Sequence, residues 1–302
     1  MTDLALAHDE LRPLMFSIAY RMLGSVVEAE DVVQDAFLRL HRSSLEGVDN
    51  LDAYATTVTT RLAIDTLRSA RVRREQYVGP WLPEPIVDSD DADPAHRIVL
   101  DETVSTAFLV LLEALSPVER AVFVLRDVIG YEYAEIADVV DKSEANCRQI
   151  FARAKRRIND GKPRFEATHE DRDRLASEFL AAMNDGDLAG LERLLAEDVV
   201  FVGDGGGRAP AIQKPMVGAL AVARFLLGLM RQGDRFGVLL DLVQANGQPA
   251  LRTRDADGAL LCVMTIDVDA GRIVGLGNLL NPEKLGHLGA VGDLNTLLGH
   301  RD

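Results

Sequence analysis

A proline-rich, acidic segment divides the amino-terminal half of the chain. Residues 76–93 contain three prolines within six positions, followed by four aspartates that end just before Pro94. Proline has no backbone N–H to donate, so this stretch cannot form a continuous helix or a central strand. The segment therefore predicts a domain boundary. The only tryptophan of the chain, Trp81, lies inside it. We expect that indole to pack against a neighbouring surface.

Amphipathic helices are predicted on both sides of this segment. Before it, apolar residues recur at helical spacing over residues 4–23, 26–42 and 48–74, and Asp49 or Asp52 is the expected cap of the third helix. After it, the spacing predicts helices over residues 98–115, 116–129, 132–140 and 144–158. Ser143 precedes the last of these as a cap, and the last two form a helix-turn-helix.

The pattern changes from about residue 170. Two helices, 171–184 and 188–196, precede short apolar runs bounded by glycines, with a further helix over 219–230. The runs are predicted strands over residues 199–202, 237–244, 249–253, 259–267 and 272–277. Helices followed by a mostly antiparallel curved sheet predict an α+β domain.

The charge is unevenly distributed. A net charge of −15 disfavours a protein that coats DNA by itself. Yet residues 61–74 carry five arginines against Asp65 alone, and residues 142–164 carry eight basic residues against two acids. Between these windows, residues 75–102 carry eight acids and one arginine. Two basic windows that end amphipathic helices favour contact with nucleic acid, although a solvated helix face can give the same pattern.

Several classes of protein are excluded or disfavoured. The two cysteines, Cys147 and Cys262, rule out a disulfide framework and a cysteine-rich zinc site, and the histidines have no metal-ligand spacing, so no metal and no cofactor are predicted. Cys147 falls on the inward face of its helix and is expected to be a core residue. Without an apolar run of bilayer length or a signal peptide, we expect a cytoplasmic protein that does not associate with membranes.

Three segments resemble extracytoplasmic-function sigma factors of RNA polymerase. The run Ala29–Leu40 (AEDVVQDAFLRL) is similar to the helix by which they bind core polymerase, and Leu62–Arg68 (LAIDTLR) is similar to their minus-ten-reading helix. The stretch from Leu115-Ser116-Pro117 to Arg157 resembles the domain that reads the minus-thirty-five element. Together they cover residues 1–160 in the family's order.

The resemblance implies two partners, core RNA polymerase (its β′ clamp helices and β flap) and promoter DNA. Tyr54 stands where many relatives have tryptophan, and Arg61 stands where many have asparagine, which leaves the preferred minus-ten base open. The polymerase-binding residues implied by the resemblance are Asp31, Gln34, Phe37 and Leu40. Those implied for the minus-ten element are Tyr54, Arg61, Asp65, Arg68 and Arg71. Those implied for the minus-thirty-five element are Asn146, Arg148, Gln149, Arg153, Arg156 and Arg157.

The carboxyl-terminal part resembles the SnoaL-like branch of the cone-shaped, NTF2-like α+β fold. Sigma factors with this extension form a subgroup marked by three motifs, which here read WLPEP (81–85), DGGGR (204–208) and NPEKL (281–285). The resemblance implies that these motifs regulate the sigma domains. Asp204 and Arg208 offer opposite charges for an interdomain pair, which if exposed would contribute only about 0–1 kcal/mol. The regulatory residues are Trp81, Pro83, Asp204, Gly205, Gly206, Gly207, Arg208, Asn281, Pro282 and Lys284.

The predicted fold is multi-domain, with two all-α sigma domains followed by a SnoaL-like domain. The expected boundaries are sigma domain 2 over 1–75, a linker over 76–96, sigma domain 4 over 97–165, the SnoaL-like domain over 168–290 and a tail over 291–302. The expected function is a non-enzymatic sigma factor that is regulated by its own fused domain. Two alternatives stay open: a helix-turn-helix regulator with a ligand-sensing domain, and a SnoaL-like enzyme with a DNA-binding appendage. A small-molecule ligand of the third domain also stays open.

Overall fold

The computed structural model describes residues 4–42, 50–88, 104–161 and 167–298. The chain forms two compact units. The first unit is helical and combines Met1–Glu75 with Ser89–Lys162, whereas the second is α+β and combines Gln76–Asp88 with Pro163–Asp302. Thus the part of the expected linker up to Asp88 belongs to the second unit. Residues 89–96 of that linker and the last four residues of the expected tail lie outside the described residues.

Three helices begin the first unit. They are α1 (Leu4–Leu23), α2 (Val26–Arg42) and α3 (Leu51–Glu75). Gly24, at φ +66°, ends α1, and the Ser25 hydroxyl accepts the Glu28 N–H at the start of α2. The cap of α3 is Asn50, whose Oδ1 accepts the Ala53 N–H at 3.0 Å. The expectation of Asp52 as the cap is wrong because Asp52 is already in the first turn of the helix. Asp49 lies outside the described residues.

A second helical group completes this unit. Its elements are α4 (Thr106–Leu112), α5 (Pro117–Phe123), a π-helical stretch (Val124–Ile129), α6 (Tyr133–Val140) and α7 (Glu144–Gly161). Ser116 and Glu119 form a capping box at the start of α5. Gly130, at φ +87°, ends the π-helical stretch. The helix expected from residue 98 is described only from Thr106, where Ser105 is the cap.

The two helical groups pack against each other within the first unit. Arg61 of α3 donates from Nε to the Val139 carbonyl (2.9 Å) and from Nη2 to the Asp138 carbonyl (2.8 Å) near the end of α6. The hydroxyls of Thr56 and Tyr131 lie 2.9 Å apart and share a hydrogen bond. The face of α3 that carries Arg61 is therefore bonded to the helix-turn-helix segment.

A carboxylate shared by two arginines joins the same groups. Glu113 pairs with Arg120, which is 1% exposed, and with Arg74 of α3. Arg120 also donates to the Arg21 carbonyl at 3.0 Å, and Arg74 donates to the Leu23 carbonyl at 2.6 Å. Each arginine thus bridges Glu113 and the carboxyl-terminal end of α1.

The second unit is a curved sheet that packs with helices. The helices are α8 (His169–Asn184), α9 (Leu188–Leu194), α10 (Ala219–Gly233), α11 (Pro282–Leu285) and α12 (Leu294–Leu297). The strands are β1 (Leu195–Asp204), β2 (Met216–Val217), β3 (Leu239–Ala245), β4 (Gln248–Arg254), β5 (Leu260–Asp269) and β6 (Arg272–Leu279). The strand order is β2-β1-β6-β5-β4-β3, and β1 runs parallel to β6 while the other pairs are antiparallel.

Both faces of this sheet are covered by apolar side chains. One face packs against α8, α9 and α10 around Phe179 and Phe201. On the other, Leu82 and Val87 of the segment 76–88 pack with strand residues that include Val263. That segment therefore supplies part of the second unit's core. No helix in the described ranges is both long and apolar enough to cross a bilayer.

Glu113→Gln should destabilise the first unit by about 3–5 kcal/mol, because buried Arg120 would lose its charged partner. Burial alone would raise the pKa of Glu113, but Arg120 and Arg74 outweigh it and hold that pKa below its ordinary 4.5. The carboxylate's contribution is therefore present above about pH 4.5 and is lost on acidification. Urea unfolding at several pH values, followed by hydrogen exchange of α3 amides, measures both effects.

Glu178→Gln is the control, because Glu178 forms an exposed pair with Arg174. We expect that substitution to change the free energy of unfolding by no more than about 0.5 kcal/mol. The role given to Glu113 would be contradicted if the two variants lost equal amounts of unfolding free energy. It would also be contradicted if the loss in Glu113→Gln stayed the same at low pH.

Candidate functional site

Helix α2 carries the residues expected to bind polymerase. Asp31 and Gln34 are exposed, whereas Phe37 and Leu40 are buried behind them. The Phe37 ring stacks on the His8 imidazole, with 4.2 Å between ring centroids. The four residues thus form two layers, a polar outer pair and an apolar inner pair that fixes the outer one.

The minus-ten candidates follow one face of α3. Tyr54, Arg61, Asp65 and Arg68 recur at helical spacing, and Arg68 pairs with Asp65 at 3.0 Å on the surface. Arg71 lies on the same helix, but its side chain lies outside the described part of the chain.

A shallow cleft joins this face to the end of α2. Tyr54 and Arg61 line it together with Arg39 and Arg42. Sequence reasoning missed these two arginines because basic residues in a last helical turn are also expected as partners of the helix dipole. The cleft combines an aromatic ring with three guanidinium groups.

The second helix of the helix-turn-helix, α7, separates an apolar face from a basic one. Cys147, Ile150, Ala154 and Ile158 are buried. Burial raises the pKa of the Cys147 thiol, as expected for a core residue. The residues expected to read DNA are exposed apart from Asn146, which is half-buried; the exposed ones are Arg148, Gln149, Arg153, Arg156 and Arg157. The Ser143 hydroxyl accepts the Asn146 N–H, so Ser143 caps α7 as predicted.

Some of these basic side chains have partners on the protein surface. Arg157 pairs with Glu119 at 3.1 Å, and Arg148 pairs with Glu144. The Arg148 guanidinium also lies 4.9 Å from the centre of the Tyr133 ring. Such surface pairs contribute little to stability and can be exchanged for phosphate contacts.

In the second unit, the three motifs meet around one buried carboxylate. Asp204 is 0% exposed and accepts hydrogen bonds from the Tyr77 hydroxyl (2.5 Å), the Leu82 N–H (2.8 Å) and Lys284 Nζ (2.7 Å). Lys284 Nζ also donates to the Leu82 carbonyl at 2.6 Å. We call Asp204, Lys284, Tyr77 and Leu82 the linker clamp. It bonds the segment 76–88 to the sheet domain through side chains and backbone together.

Aromatic rings surround the clamp lysine. Lys284 Nζ lies 4.2 Å from the centre of the Trp81 ring and 4.9 Å from that of Tyr77. Both positions suit cation–π attraction, which is stronger when the cation is desolvated. Burial, and then the hydrogen bond to Asp204, raise the pKa of Tyr77 above its ordinary 10, so this phenol stays a donor at neutral pH.

The glycine triplet allows the loop to approach the linker closely. Gly206 has φ +57°, and a Cβ there would lie 2.3 Å from Asn281 Nδ2 and 2.8 Å from the Tyr77 hydroxyl. Asn281 Nδ2 in turn donates to that hydroxyl at 2.8 Å. A Cβ at Gly207 would lie 3.2 Å from Val78. The loop therefore packs on the linker segment because it lacks side chains at these positions.

The expected pair of Asp204 with Arg208 does not form. Arg208 is exposed and pairs with Glu283 at 3.1 Å, while Asp204 is buried with Lys284. The physical reason is that Asp204 ends a buried strand, whereas Arg208 follows a turn made of glycines that carries it to the surface. The charge pair at this site is thus buried rather than exposed.

Further linker contacts were not predicted. The Ile86 N–H donates to Asn246 Oδ1 at 2.7 Å, and the Asn246 N–H donates to the Ile86 carbonyl at 2.8 Å. His287 Nε2 donates to the Pro85 carbonyl at 2.8 Å. Pro83 is buried in the same segment, and Pro282 begins the helix that carries Lys284. Among the described residues, no cluster of histidine, cysteine or carboxylate side chains could hold a metal ion.

Known proteins are similar to this chain in sequence. The sequence models of two families match the helical parts, Sigma-70 region 2 over residues 8–73 and Sigma-70 region 4 over residues 105–158. The ECF RNA polymerase sigma factor SigJ of Mycobacterium tuberculosis is 37% identical over 286 residues, which cover 91% of each chain. The chain is an extracytoplasmic-function sigma factor. The probable ECF sigma factor SigI of the same species is 32% identical over 281 residues, 92% of this chain and 93% of SigI.

A solved structure agrees with this sigma factor along almost its whole length. The crystal structure of Mycobacterium tuberculosis SigJ superimposes with a TM-score of 0.77 at 33% identity and covers 94% of this chain and 98% of SigJ. The resemblance to the subgroup with a fused third domain is therefore confirmed. The predicted architecture, two helical sigma domains followed by an α+β domain, is also confirmed.

Asp204→Asn should release the linker from the sheet domain of this sigma factor. The change leaves the Lys284 ammonium buried without its counter-charge, which costs about 3–5 kcal/mol. Trp81 is the only tryptophan in the chain, so its emission reports on the linker directly. We expect a red-shifted emission and easier quenching by iodide.

Arg208→Gln is the matched control, because it breaks an exposed pair in the same loop. It should change stability by at most about 1 kcal/mol and leave the Trp81 emission unchanged. Unchanged Trp81 emission in Asp204→Asn, or the same shift in both variants, would contradict the clamp.

Proposed function

We propose that this sigma factor binds core RNA polymerase through α2 and reads a bipartite promoter through α3 and α7. The observation that carries the proposal is the arrangement of α2. Its outward Asp31 and Gln34 stand over buried Phe37 and Leu40, and the outer pair is free to meet the β′ clamp helices. The second helical group would contact the β flap. The protein acts in the cytoplasm and is not an enzyme.

The cleft between α2 and α3 supports capture of an unpaired minus-ten base. The Tyr54 ring offers a stacking surface, worth about 1–3 kcal/mol per base. Arg39, Arg42 and Arg61 surround it and suit backbone phosphates. Asp65 and Arg68 continue the same face of α3 and would extend the contact along the strand, together with Arg71.

The exposed face of α7 supports reading of the minus-thirty-five element in the major groove. Arginine pairs with guanine and glutamine with adenine through two hydrogen bonds each, which assigns Arg148, Gln149 and Arg153 to base edges. Asn146, Arg156 and Arg157 would fix the helix on phosphates.

The conformation of the first unit supports a closed resting state. Arg61 donates to the Asp138 and Val139 carbonyls, so these donors are occupied by the protein rather than by DNA. Binding at the minus-ten element then requires α3 to separate from the helix-turn-helix segment. Polymerase would favour that separation by binding the two helical groups at different places.

The sheet domain acts as a fused regulator through the linker. It holds residues 76–88, which precede the second helical group in the chain. Linker length sets the effective concentration of each DNA-binding part at its promoter element. Holding or releasing the segment 76–88 would therefore change which promoter spacings the two domains can span.

Asp31→Ala should weaken binding to core polymerase roughly fivefold to thirtyfold, the range of an interface residue worth 1–2 kcal/mol. Co-purification with core polymerase, followed by run-off transcription from a cognate promoter, measures it. Asp257→Ala, in an exposed turn of the sheet domain, should leave polymerase binding and run-off transcription unchanged. If the chain controls transcription without binding core polymerase, the helix-turn-helix regulator becomes the better interpretation.

Tyr131→Phe should open the first unit. The change removes the hydrogen bond to Thr56, which is buried at the contact between the helical groups. Loss of about 1 kcal/mol raises the population of the separated state roughly fivefold. We expect the free protein to bind minus-ten DNA about fivefold more tightly, measured by fluorescence anisotropy.

The preformed holoenzyme is the internal control, because its helical groups are already apart. There Tyr131→Phe should have little effect on promoter affinity. An equal gain of promoter affinity in the holoenzyme, or no gain of affinity for minus-ten DNA in the free protein, argues against the closed state.

A further inference from the structure

The Tyr133 ring lies where the two helices of the helix-turn-helix meet. Tyr133 is the first residue of α6 and is half-buried. Its ring makes an edge contact with Phe151 of α7, with 6.1 Å between ring centroids and 70° between ring planes. Phe151 in turn stacks on buried Phe123 of α5, at 6.0 Å. Tyr133 is therefore the outer member of an aromatic row that begins in the core of this helical group.

Two arginines lie over this ring. The guanidinium carbon of Arg148 is 4.9 Å from the ring centre, and that of Arg126, in the π-helical stretch, is 4.8 Å from it. Arg126 is itself held in place, because it donates to the Tyr131 carbonyl at 2.7 Å and pairs with Glu132 at 3.0 Å. Arg148 extends from α7 instead, and 55% of its side chain is exposed.

The two contacts of Arg148 differ in what they leave available for DNA. The pair with Glu144 occupies Nη2 of the guanidinium, so a base has to displace that carboxylate. An aromatic ring attracts the cation through its π face and leaves the N–H edge open to other acceptors. Tyr133 can therefore keep its contact with Arg148 while the guanidinium donates to guanine O6 and N7. A side chain fixed beforehand also loses less conformational entropy on binding.

We propose that Tyr133 is a positioning residue for the minus-thirty-five element, whose ring holds Arg148 in the orientation that donates to a guanine. This role rests on the proposed function, in which Arg148 contacts a base edge. The preference at one base pair then depends on a residue of α6, the helix that precedes the one in the major groove. Arg153 lies roughly 140° around the axis of α7 from Arg148, so the base pair that it reads should not depend on Tyr133.

Selection of promoters by the reconstituted holoenzyme tests the proposal. The probe is a DNA library randomised at the minus-ten and minus-thirty-five elements, and sequencing of the bound fraction gives the preference at each base pair. Arg148→Ala should abolish a guanine preference at one base pair. Tyr133→Leu should reduce the preference at that same base pair roughly twofold to fivefold, the effect of one exposed cation–π contact, and should leave the others unchanged.

Further variants separate positioning from folding. Tyr133→Phe retains the ring and should retain the wild-type preference. Val140→Ala removes buried methyl groups at the other end of α6, so it should lower the free energy of unfolding without changing the preference at any base pair. Adding Tyr133→Leu to Arg148→Ala should cause no further loss of base preference.

The outcomes distinguish the positioning role from the proposed function. If Arg148→Ala removes the guanine preference and Tyr133→Leu does not reduce it, the positioning role is overturned and the proposed function stands. A loss in Tyr133→Leu that is spread evenly over all base pairs also overturns the positioning role, because a structural defect gives that pattern. If Arg148→Ala changes no single base preference, both the assignment of Arg148 to a base edge and the positioning role of Tyr133 are overturned.

Discussion

The buried ion pair of Asp204 with Lys284 is the interaction on which the second unit depends. Moving two charges out of water is costly, and their mutual attraction offsets that cost only when the remaining hydrogen-bonding groups are also satisfied. Here the linker supplies those groups, namely the Tyr77 hydroxyl and the backbone of Leu82. The pair is therefore favourable only while the linker is docked. Linker docking and folding of this corner of the sheet domain are one coupled event.

The distribution of charge explains how an acidic protein can serve as a DNA-binding factor. The basic side chains are concentrated on α3, on α7 and at the end of α2, while the average over the chain is acidic. Arg61, Arg148 and Arg157 already have acceptors within the protein. Under the proposed function, DNA replaces these acceptors, and separation of the helical groups releases Arg61 alone, because the acceptors of Arg148 and Arg157 lie within the second helical group.

Much of the fold could be predicted from residue patterns, because helical and strand periodicity reflect local burial. The first two helices match the expected ranges, and every predicted strand overlaps an observed one. The two-residue strand β2 carries too little pattern to be recognised. The partner of Asp204 could not be predicted either. Arg208 is close in sequence, whereas Lys284 lies 80 residues away and comes near only through the parallel pairing of β1 with β6.

The place of residues 76–88 in the second unit has a consequence for synthesis of the chain. Tyr77 leaves the ribosome 127 residues before Asp204, and Leu82 leaves it 202 residues before Lys284. At about 5–20 residues per second, these gaps last roughly 6–25 s and 10–40 s. Ser89–Lys162, the second part of the first unit, is synthesised within that interval, after Met1–Glu75. Each new molecule therefore passes through a period in which α3 and α7 exist and the complete sheet domain does not.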